Sequence, residues 1–138
     1  MKDAPKTFKY GRWFRIKLKN RIKQRYLKLN IYKFGIKAVE SGWITNEQIK
    51  SILRLIRILL KKKIKVKVNS ALIVPITKKP LETRMGSGKG ERKFWRCPID
   101  KGMIILEFGN ISDEDMFYIY KIIANRLPFF VKCIKKIY

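Results

Sequence analysis

Residues 45–68 read TNEQIKSILRLIRILLKKKIKVKV and contain two different hydrophobic periods in succession. Thr45 and Gln48 have the spacing of a capping box, which predicts a helix with Thr45 at its N-cap that runs to about Lys62. From Lys63 to Val68, lysine alternates with isoleucine or valine, which predicts a half-buried strand with one cationic face. A helix followed by such a strand indicates a mixed α and β fold.

The predicted helix has an apolar stripe and a basic stripe. The apolar residues keep the spacing of a buried helix face. The basic residues have no acid among them after Glu47, whereas a solvated face normally mixes both signs of charge. We therefore favour phosphate contact over a simple solvated face. The apolar stripe is Ile49, Ile52, Leu53, Ile56, Leu59 and Leu60, and the basic stripe is Lys50, Arg54, Arg57 and Lys61.

The remaining chain predicts further strands at 31–39, 72–77, 94–99 and 103–108, with a basic strand or tail at 129–138. Ser41-Gly42 ends the first of them, and Asp100-Lys101-Gly102 is typical of a hairpin turn between two others. Residues 72–77 are expected to extend the 63–68 strand or to pair with it.

A second helix is predicted after the capping sequence Ser112-Asp113-Glu114-Asp115, and Pro128 would end it. Its apolar stripe is Met116, Tyr120, Ile123 and Leu127. Together these elements predict an α+β fold, with two helices packed on one face of a mainly antiparallel sheet in a hammerhead-like sandwich.

The charge of the chain favours a polyanionic partner. Its 138 residues include 34 Lys and Arg against 10 Asp and Glu, a formal net charge of +24, while the 46% hydrophobic content argues against wholesale disorder. Residues 1–30 form a basic arm with interleaved aromatics, and residues 31–138 form one RNA-binding domain. The arm's rings could stack on unpaired bases or anchor the arm to its own domain. They are Phe8, Tyr10, Trp13, Phe14 and Tyr26.

The stretch Arg84-Met85-Gly86-Ser87-Gly88-Lys89-Gly90 concentrates glycines between bases, and we call the connection that contains it the glycine loop. We expect this loop to span residues 77–93, between two strands. Glycines there would let backbone approach a polyanion closely. The loop is not a P-loop, because Thr83 stands at the first glycine position and Gly90 at the hydroxyl position. Glu91 likewise breaks a dinucleotide-binding motif.

Several other classes of function are disfavoured. Histidine is absent and the carboxylates are scattered, which argues against an enzyme and a metal site. Cys97 and Cys133 cannot complete a zinc site, and two buried, reduced thiols are favoured over a disulfide. No apolar run approaches the ~20 residues of a membrane-spanning helix. A basic membrane-surface protein would need a helix with exposed apolar residues, whereas both helical stripes are better used as core.

Two long motifs carry a family resemblance. ITKKPLETRMGSGKG at residues 76–90, together with FGIKAVESGWIT at residues 34–45 and the following Gln48-Ile49, resembles the bacterial and organellar-type L-sixteen family of large-subunit ribosomal proteins. The chain departs from the family at Ser87, where a base is usual. It also departs at the connection 69–74, which is about two residues longer and lacks the usual Pro-Asp pair.

The resemblance implies a structural, RNA-binding protein with no cofactor. It implies a place near the aminoacyl-tRNA site, with the glycine loop directed toward the peptidyl transferase centre, and a role in late subunit assembly. The implied partners are large-subunit rRNA, tRNA in the aminoacyl and peptidyl sites, and neighbouring ribosomal proteins, without membrane or homo-oligomer. A free-standing RNA-binding or RNA-chaperone domain is the alternative. The isoleucine- and lysine-rich composition suggests an AT-rich coding sequence, as in many organelles or certain bacteria. We expect a mitochondrial ribosome, with a plastid or the cytoplasm of an AT-rich bacterium as alternatives.

The candidate contacts fall into two groups. In the loop they are Lys78, Lys79, Arg84, Met85, Gly86, Ser87, Gly88, Lys89 and Gly90, of which Arg84 is the best candidate for a directed contact because guanidinium offers a donor fork. On the basic faces they are Arg12, Arg15, Lys17, Arg21, Arg25, Lys50, Arg54, Arg57, Lys61, Lys63, Lys65 and Lys67.

Overall fold

The computed structural model describes residues 13–14, 17–18, 27–60, 64–70 and 73–136. Seven strands and two helices lie within these ranges. Most of the arm therefore falls outside the described residues, including Arg12, Arg15, Arg21 and Arg25, as do Lys61 and Lys63. The elements are β1 Phe34–Ala38, β2 Gly42–Thr45, α1 Asn46–Leu59, β3 Lys65–Val68, β4 Val74–Lys78, β5 Glu91–Ile99, β6 Ile104–Gly109, α2 Asp113–Ala124 and β7 Val131–Lys135.

The strands form two antiparallel sheets, a four-stranded one in the order β3-β6-β1-β7 and a three-stranded one in the order β2-β5-β4. The expected α+β fold class is confirmed, but the division into two sheets was not foreseen. The predicted association of 72–77 with 63–68 was wrong, because β4 pairs with β5 while β3 pairs with β6. The chain thus changes sheets between β3 and β4.

The turn at residues 100–102 forms, but it does not join a hairpin. The Met103 amide donates to the Asp100 carbonyl at 3.1 Å, and Gly102 has a φ of 84°, in the left-handed region that favours glycine. Ala38 and the turn then bond to each other, with the Gly102 amide donating to the Ala38 carbonyl at 2.9 Å. This bond attaches the turn to β1. As a result, β6 pairs within the four-stranded sheet, whereas β5 belongs to the three-stranded sheet.

Both helices bury their apolar stripes in one shared core. On α1, Ile49, Ile52 and Ile56 are buried as the spacing predicted, and Leu53 and Leu60 are partly buried. The prediction was wrong for Leu59, which is exposed in the last turn of the helix. On α2 they are Met116, Ile119 and Ile123, so Ile119 takes the central place expected for Tyr120. The Tyr120 hydroxyl instead donates to the Val131 carbonyl at 3.0 Å and attaches α2 to β7. No helix in the described ranges is long and apolar enough to cross a membrane.

The start of α1 is set by the capping box expected from the sequence. The Gln48 amide donates to Thr45 Oγ1 at 3.3 Å, and the Thr45 amide donates to Gln48 Oε1 at 2.9 Å. These bonds satisfy two backbone donors that a helix start would otherwise leave free. The helix ends at Leu59, three residues before the predicted Lys62. The capping residue Thr45 also belongs to β2, a strand that the sequence pattern did not predict because Ser41-Gly42 resembles a simple break.

A buried carboxylate joins the segment just before β1 to the four-stranded sheet. Glu107 is 0% exposed, and its carboxylate accepts the backbone amides of Ile31 and Tyr32 at 3.0 and 3.3 Å. Its other oxygen accepts the side-chain amide of Asn69 at 2.6 Å. Burial opposes ionisation, but the bonds from Asn69, Ile31 and Tyr32 and the charge of Lys67 outweigh it and lower the pKa of Glu107. Residues 31–32 are thereby fixed on β6.

Candidate nucleic-acid interface

The glycine loop is the connection between β4 and β5, residues 79–90. The two strands pair up to the base of the loop, where Lys78 lies opposite Glu91. The loop is shorter than the expected 77–93 because Thr77 and Lys78 pair with Arg92 and Glu91 instead of leaving the sheet. An antiparallel pair of strands, with a register irregularity between Ile76 and Thr77, therefore forms the stem of the loop.

The tip of the loop has an unusual backbone. Gly86, Ser87 and Gly88 have φ values of 101°, 54° and 77°, three consecutive residues in the left-handed region. A serine has a steric cost there that glycine does not. The Lys79 ammonium donates to the Gly86 carbonyl and so holds the tip toward its own base. The conformation keeps the side chains outside, and Met85 is fully exposed.

The glycines of the loop are required for different structural reasons. A Cβ added to Gly86 or Gly88 would meet nothing within 4 Å, so open space surrounds both and their φ values alone require glycine. A Cβ on Gly90 would lie 2.7 Å from the carbonyl oxygen of Lys78, so the backbone itself excludes any larger residue there. Gly86 and Gly88 thus leave the tip accessible, whereas Gly90 allows the two sides of the stem to approach each other closely.

The described part of the basic stripe forms one exposed row on α1. Lys50, Arg54 and Arg57 are all exposed, while Ile49, Ile52 and Ile56 of the same helix are buried. The structure therefore presents these cations together to any partner on that side. Lys61, the fourth residue of the predicted stripe, lies outside the described residues.

The cationic face of β3 is less uniform than the alternation suggested. Lys65 is exposed, as is Lys17 of the arm. Lys67 is only partly exposed and lies opposite Glu107 in the ladder, where its charge contributes to the lowered pKa of that carboxyl. An internal carboxylate thus offsets part of the charge of Lys67. Lys65 is the freer candidate for phosphate contact on this strand.

Two arginines on β5 were missed by the sequence analysis. The Arg96 guanidinium lies 5.1 Å from the centroid of the Phe94 ring, and that of Arg92 lies 5.1 Å from the Trp95 ring. These distances are typical of cation–π contacts. For Arg96 the signal was its spacing from Phe94, since residues two apart on a regular strand share a sheet face. The register irregularity opposite Ile76 and Thr77 places Arg92 beside Trp95 instead. Both arginines stand close to the stem of the glycine loop.

The other clusters singled out in the sequence have structural roles. Ser112 Oγ accepts the Asp115 amide at 3.2 Å, so this segment caps α2 as expected. Asp113 pairs with Lys135 at 2.7 Å, and this bond lowers the pKa of the Asp113 carboxyl. No group of three or more potential metal ligands occurs in the described ranges.

The two cysteines are not joined in a disulfide, and only one of them is buried. Cys97 lies in the core, whereas Cys133 is exposed. The expectation of two buried thiols was therefore wrong for Cys133. It lies on β7, an edge strand of the four-stranded sheet, beyond the part of that strand that Tyr120 holds against α2.

Comparison with known proteins gives one consistent family. The family model described as ribosomal protein L16p/L10e matches residues 5–134. The chain is 37% identical to the large ribosomal subunit protein uL16c of Euglena longa over 132 residues, which cover 96% of this chain and 97% of that relative. It is 36% identical to the large ribosomal subunit protein uL16 of Buchnera aphidicola subsp. Cinara cedri (strain Cc) over 124 residues, or 90% of each chain.

Proposed function

Because the chain belongs to the ribosomal protein L16p/L10e family, and is therefore a structural, non-enzymatic constituent of the large ribosomal subunit, we propose that its glycine loop contacts functional RNA within that subunit. The loop would extend toward the peptidyl transferase centre and the acceptor end of tRNA, near the aminoacyl-tRNA site. The rest of the domain would hold it there by binding large-subunit rRNA and neighbouring ribosomal proteins.

The observation that carries this proposal is the contrast between a fixed stem and an open tip. Gly90 packs against the Lys78 backbone at the stem, while Gly86 and Gly88 have no neighbour within 4 Å of a Cβ position. A tip of this shape exposes backbone amides to an approaching phosphate. Arg84 and Met85 are exposed beside it and would supply the side-chain contacts.

Affinity for rRNA would come mainly from the basic faces. Lys50, Arg54 and Arg57 form a row of cations on α1, and Lys65 adds a further exposed cation on β3. Phosphate contacts of this kind fix position and supply affinity without reading sequence. Anchoring by these faces would leave the loop to make the more specific contacts, and it would support the late step of subunit assembly.

The compartment of the ribosome is a separate question. The relatives described above are chloroplast and bacterial proteins, so they give no support to the mitochondrial expectation. These relatives favour a plastid or a bacterial ribosome. Tracking the tagged endogenous protein through fractions of each organelle, with ribosome sedimentation in each fraction, would decide between them.

The loop is tested by Gly88→Val, with Lys101→Val in the turn between β5 and β6 as the matched control. The added side chain meets no neighbour, although the φ of 77° strains the tip locally. We expect the variant to fold, yet to slow maturation of the large subunit or to weaken tRNA binding to it. The measurements are thermal unfolding of the free protein, gradient profiles of the subunit and tRNA binding.

The control should match wild type in every measurement. A Gly88→Val protein that loses thermal stability and subunit incorporation to the same degree would assign the glycine to folding and contradict the proposal. Wild-type protein that sediments apart from ribosomes in its native cells would favour a free-standing RNA-binding or RNA-chaperone domain.

A further inference from the structure

A cleft lies on the three-stranded sheet beside the stem of the glycine loop. Its volume is about 310 Å³, and strand residues form one wall while Trp13 and Phe14 of the arm form another. Trp43, Lys89 and Arg96 also line it. Among the described residues, those that line the cleft include no acid. Its size is at the lower end of the range for small-ligand sites, which suits one nucleotide.

Arg96, which lines this cleft, has a buried hydrogen-bond donor that no described residue satisfies. Its Nε is buried and has no hydrogen-bond partner among the described residues. The guanidinium packs on the Phe94 ring, a contact that leaves the N–H groups at its edge free to donate. Because buried charged donors in folded proteins nearly always have an acceptor, this Nε requires one that the described residues do not supply.

A second contact holds the arm in place as a wall of the cleft. The Lys89 ammonium donates to the backbone carbonyl of Trp13. An ammonium has three donors, so this bond leaves Lys89 able to contact an anion as well. Lys89 is part of the glycine loop, and the contact therefore links the arm, the loop and the cleft in one arrangement.

We propose that this cleft binds one unpaired nucleotide of the large-subunit rRNA. Its base stacks on the indole rings of Trp13 and Trp43, and its oxygen atoms accept from Arg96 and Lys89. Aromatic stacking is available only to a base that has left the duplex, so the site is specific for single-stranded RNA. The inference rests on the proposed function and names a contact within it to which the α1 row contributes nothing and the glycine loop contributes only Lys89.

The test uses full-length protein and two RNA probes with equal numbers of phosphates, one single-stranded and one a perfect duplex. Arg96→Met removes the donor, and Arg96→Lys keeps the charge without the fork. Arg92→Met is the matched control, since Arg92 lies on the same strand, also packs on an aromatic ring and does not line the cleft. Near-UV circular dichroism establishes that each variant is folded.

We expect Arg96→Met to weaken single-stranded RNA binding about tenfold more than duplex binding, in the range expected for a single base. Arg96→Lys should show part of this effect, whereas Arg92→Met should weaken both probes by the same small factor. Single-stranded RNA should also quench tryptophan fluorescence in wild type, and less so in Arg96→Met.

The Arg96 variants and Arg92→Met could instead weaken binding to both RNA probes equally. That result would contradict the proposed nucleotide site in the cleft and leave the proposed function unaffected. Wild-type protein that binds neither probe and does not enter large subunits would overturn both.

Discussion

The backbone of Gly90 lies directly against that of Lys78, so a Cβ on Gly90 would be 2.7 Å from both the carbonyl carbon and the carbonyl oxygen of Lys78. This contact fixes where the glycine loop leaves the sheet. It also separates two roles that the sequence presents as one run of glycines, because Gly86 and Gly88 at the tip have no such neighbour. Stability and RNA contact should therefore respond to different glycines.

Gly90→Ala should destabilise the protein more than Gly88→Ala. The first change forces the β4 and β5 backbones apart, for which we expect a loss of about 1–3 kcal/mol. The second meets only the strain of a positive φ, about 1–2 kcal/mol, part of which the open tip can relieve. Thermal unfolding followed by circular dichroism measures both. Equal shifts in melting temperature would mean that the close contact at the stem does not limit stability.

Glu107→Gln should destabilise the protein by about 1–3 kcal/mol at neutral pH, since a charged acceptor of three hydrogen bonds becomes a neutral one with an amide donor. The pKa of Glu107 is lowered in the fold, so its contribution is present above the unfolded pKa, about 4.5, and is lost as pH falls through the folded value. The difference in unfolding free energy between wild type and Glu107→Gln should therefore become smaller at acidic pH.

Urea unfolding at neutral pH and at several acidic pH values would measure this narrowing. Glu114→Gln, an exposed carboxylate in the first turn of α2, is the control and should change stability by less than about 0.5 kcal/mol. If the difference in unfolding free energy between wild type and Glu107→Gln stays constant across the pH range, the charge of the carboxylate is not the source of the stability.

Arg54→Glu combined with Arg57→Glu should weaken rRNA binding and reduce its salt dependence. Removing one phosphate contact lowers the slope of log K against log salt by about 0.9 for a duplex and about 0.7 for a single strand. Filter binding to an rRNA fragment over a range of salt concentrations measures the slope. Lys101→Glu with Lys121→Glu makes the same change in net charge elsewhere, and a similar slope for both pairs would remove the α1 row from the interface.

The two cysteines should react with a thiol reagent in sequence. Cys133 is exposed and should react in the folded protein, whereas buried Cys97 should react only after unfolding. Partial burial raises the pKa of the Cys133 thiol above its usual 9.0, so its reaction should be slow near neutral pH and accelerate as pH rises. Absorbance of the released reagent counts the thiols, and Cys133→Ser should abolish the reaction in the folded state. Two equally fast thiols would contradict the burial of Cys97.

The sequence predicted those parts of the fold that depend on local chemistry. The Thr45 capping box, the buried stripe of α1 and the start of α2 at Ser112 each follow from side chains within a few residues of one another. The sheet arrangement depends on distant pairing, and here prediction failed. Alternation in β3 identifies a strand but not its partner, and β6 is buried on both faces with no alternation to orient it.

The candidate site shows the same division. Motifs at 34–45 and 76–90 were sufficient to identify the family, which the comparisons confirm. The loop contacts themselves stay predictions, as do those of the arm. Arg96 escaped notice because its importance depends on Trp13 and Lys89, which the fold brings to the same cleft. Conversely, the sequence did not reveal that Lys67 faces Glu107, because Glu107 lies on a strand far along the chain.

The position of β1 between β6 and β7 has a consequence for how the protein folds. Phe34 of β1 pairs with Lys135 of β7. The central strand β1 can therefore complete its pairing only when a segment near the opposite end of the described chain has come into place. Pairings between distant segments close large loops and are slow to form. Until then, apolar strands and a large excess of positive charge are exposed together. We expect folding in isolation to be slow and prone to aggregation, and early association with RNA to shield the unpaired chain.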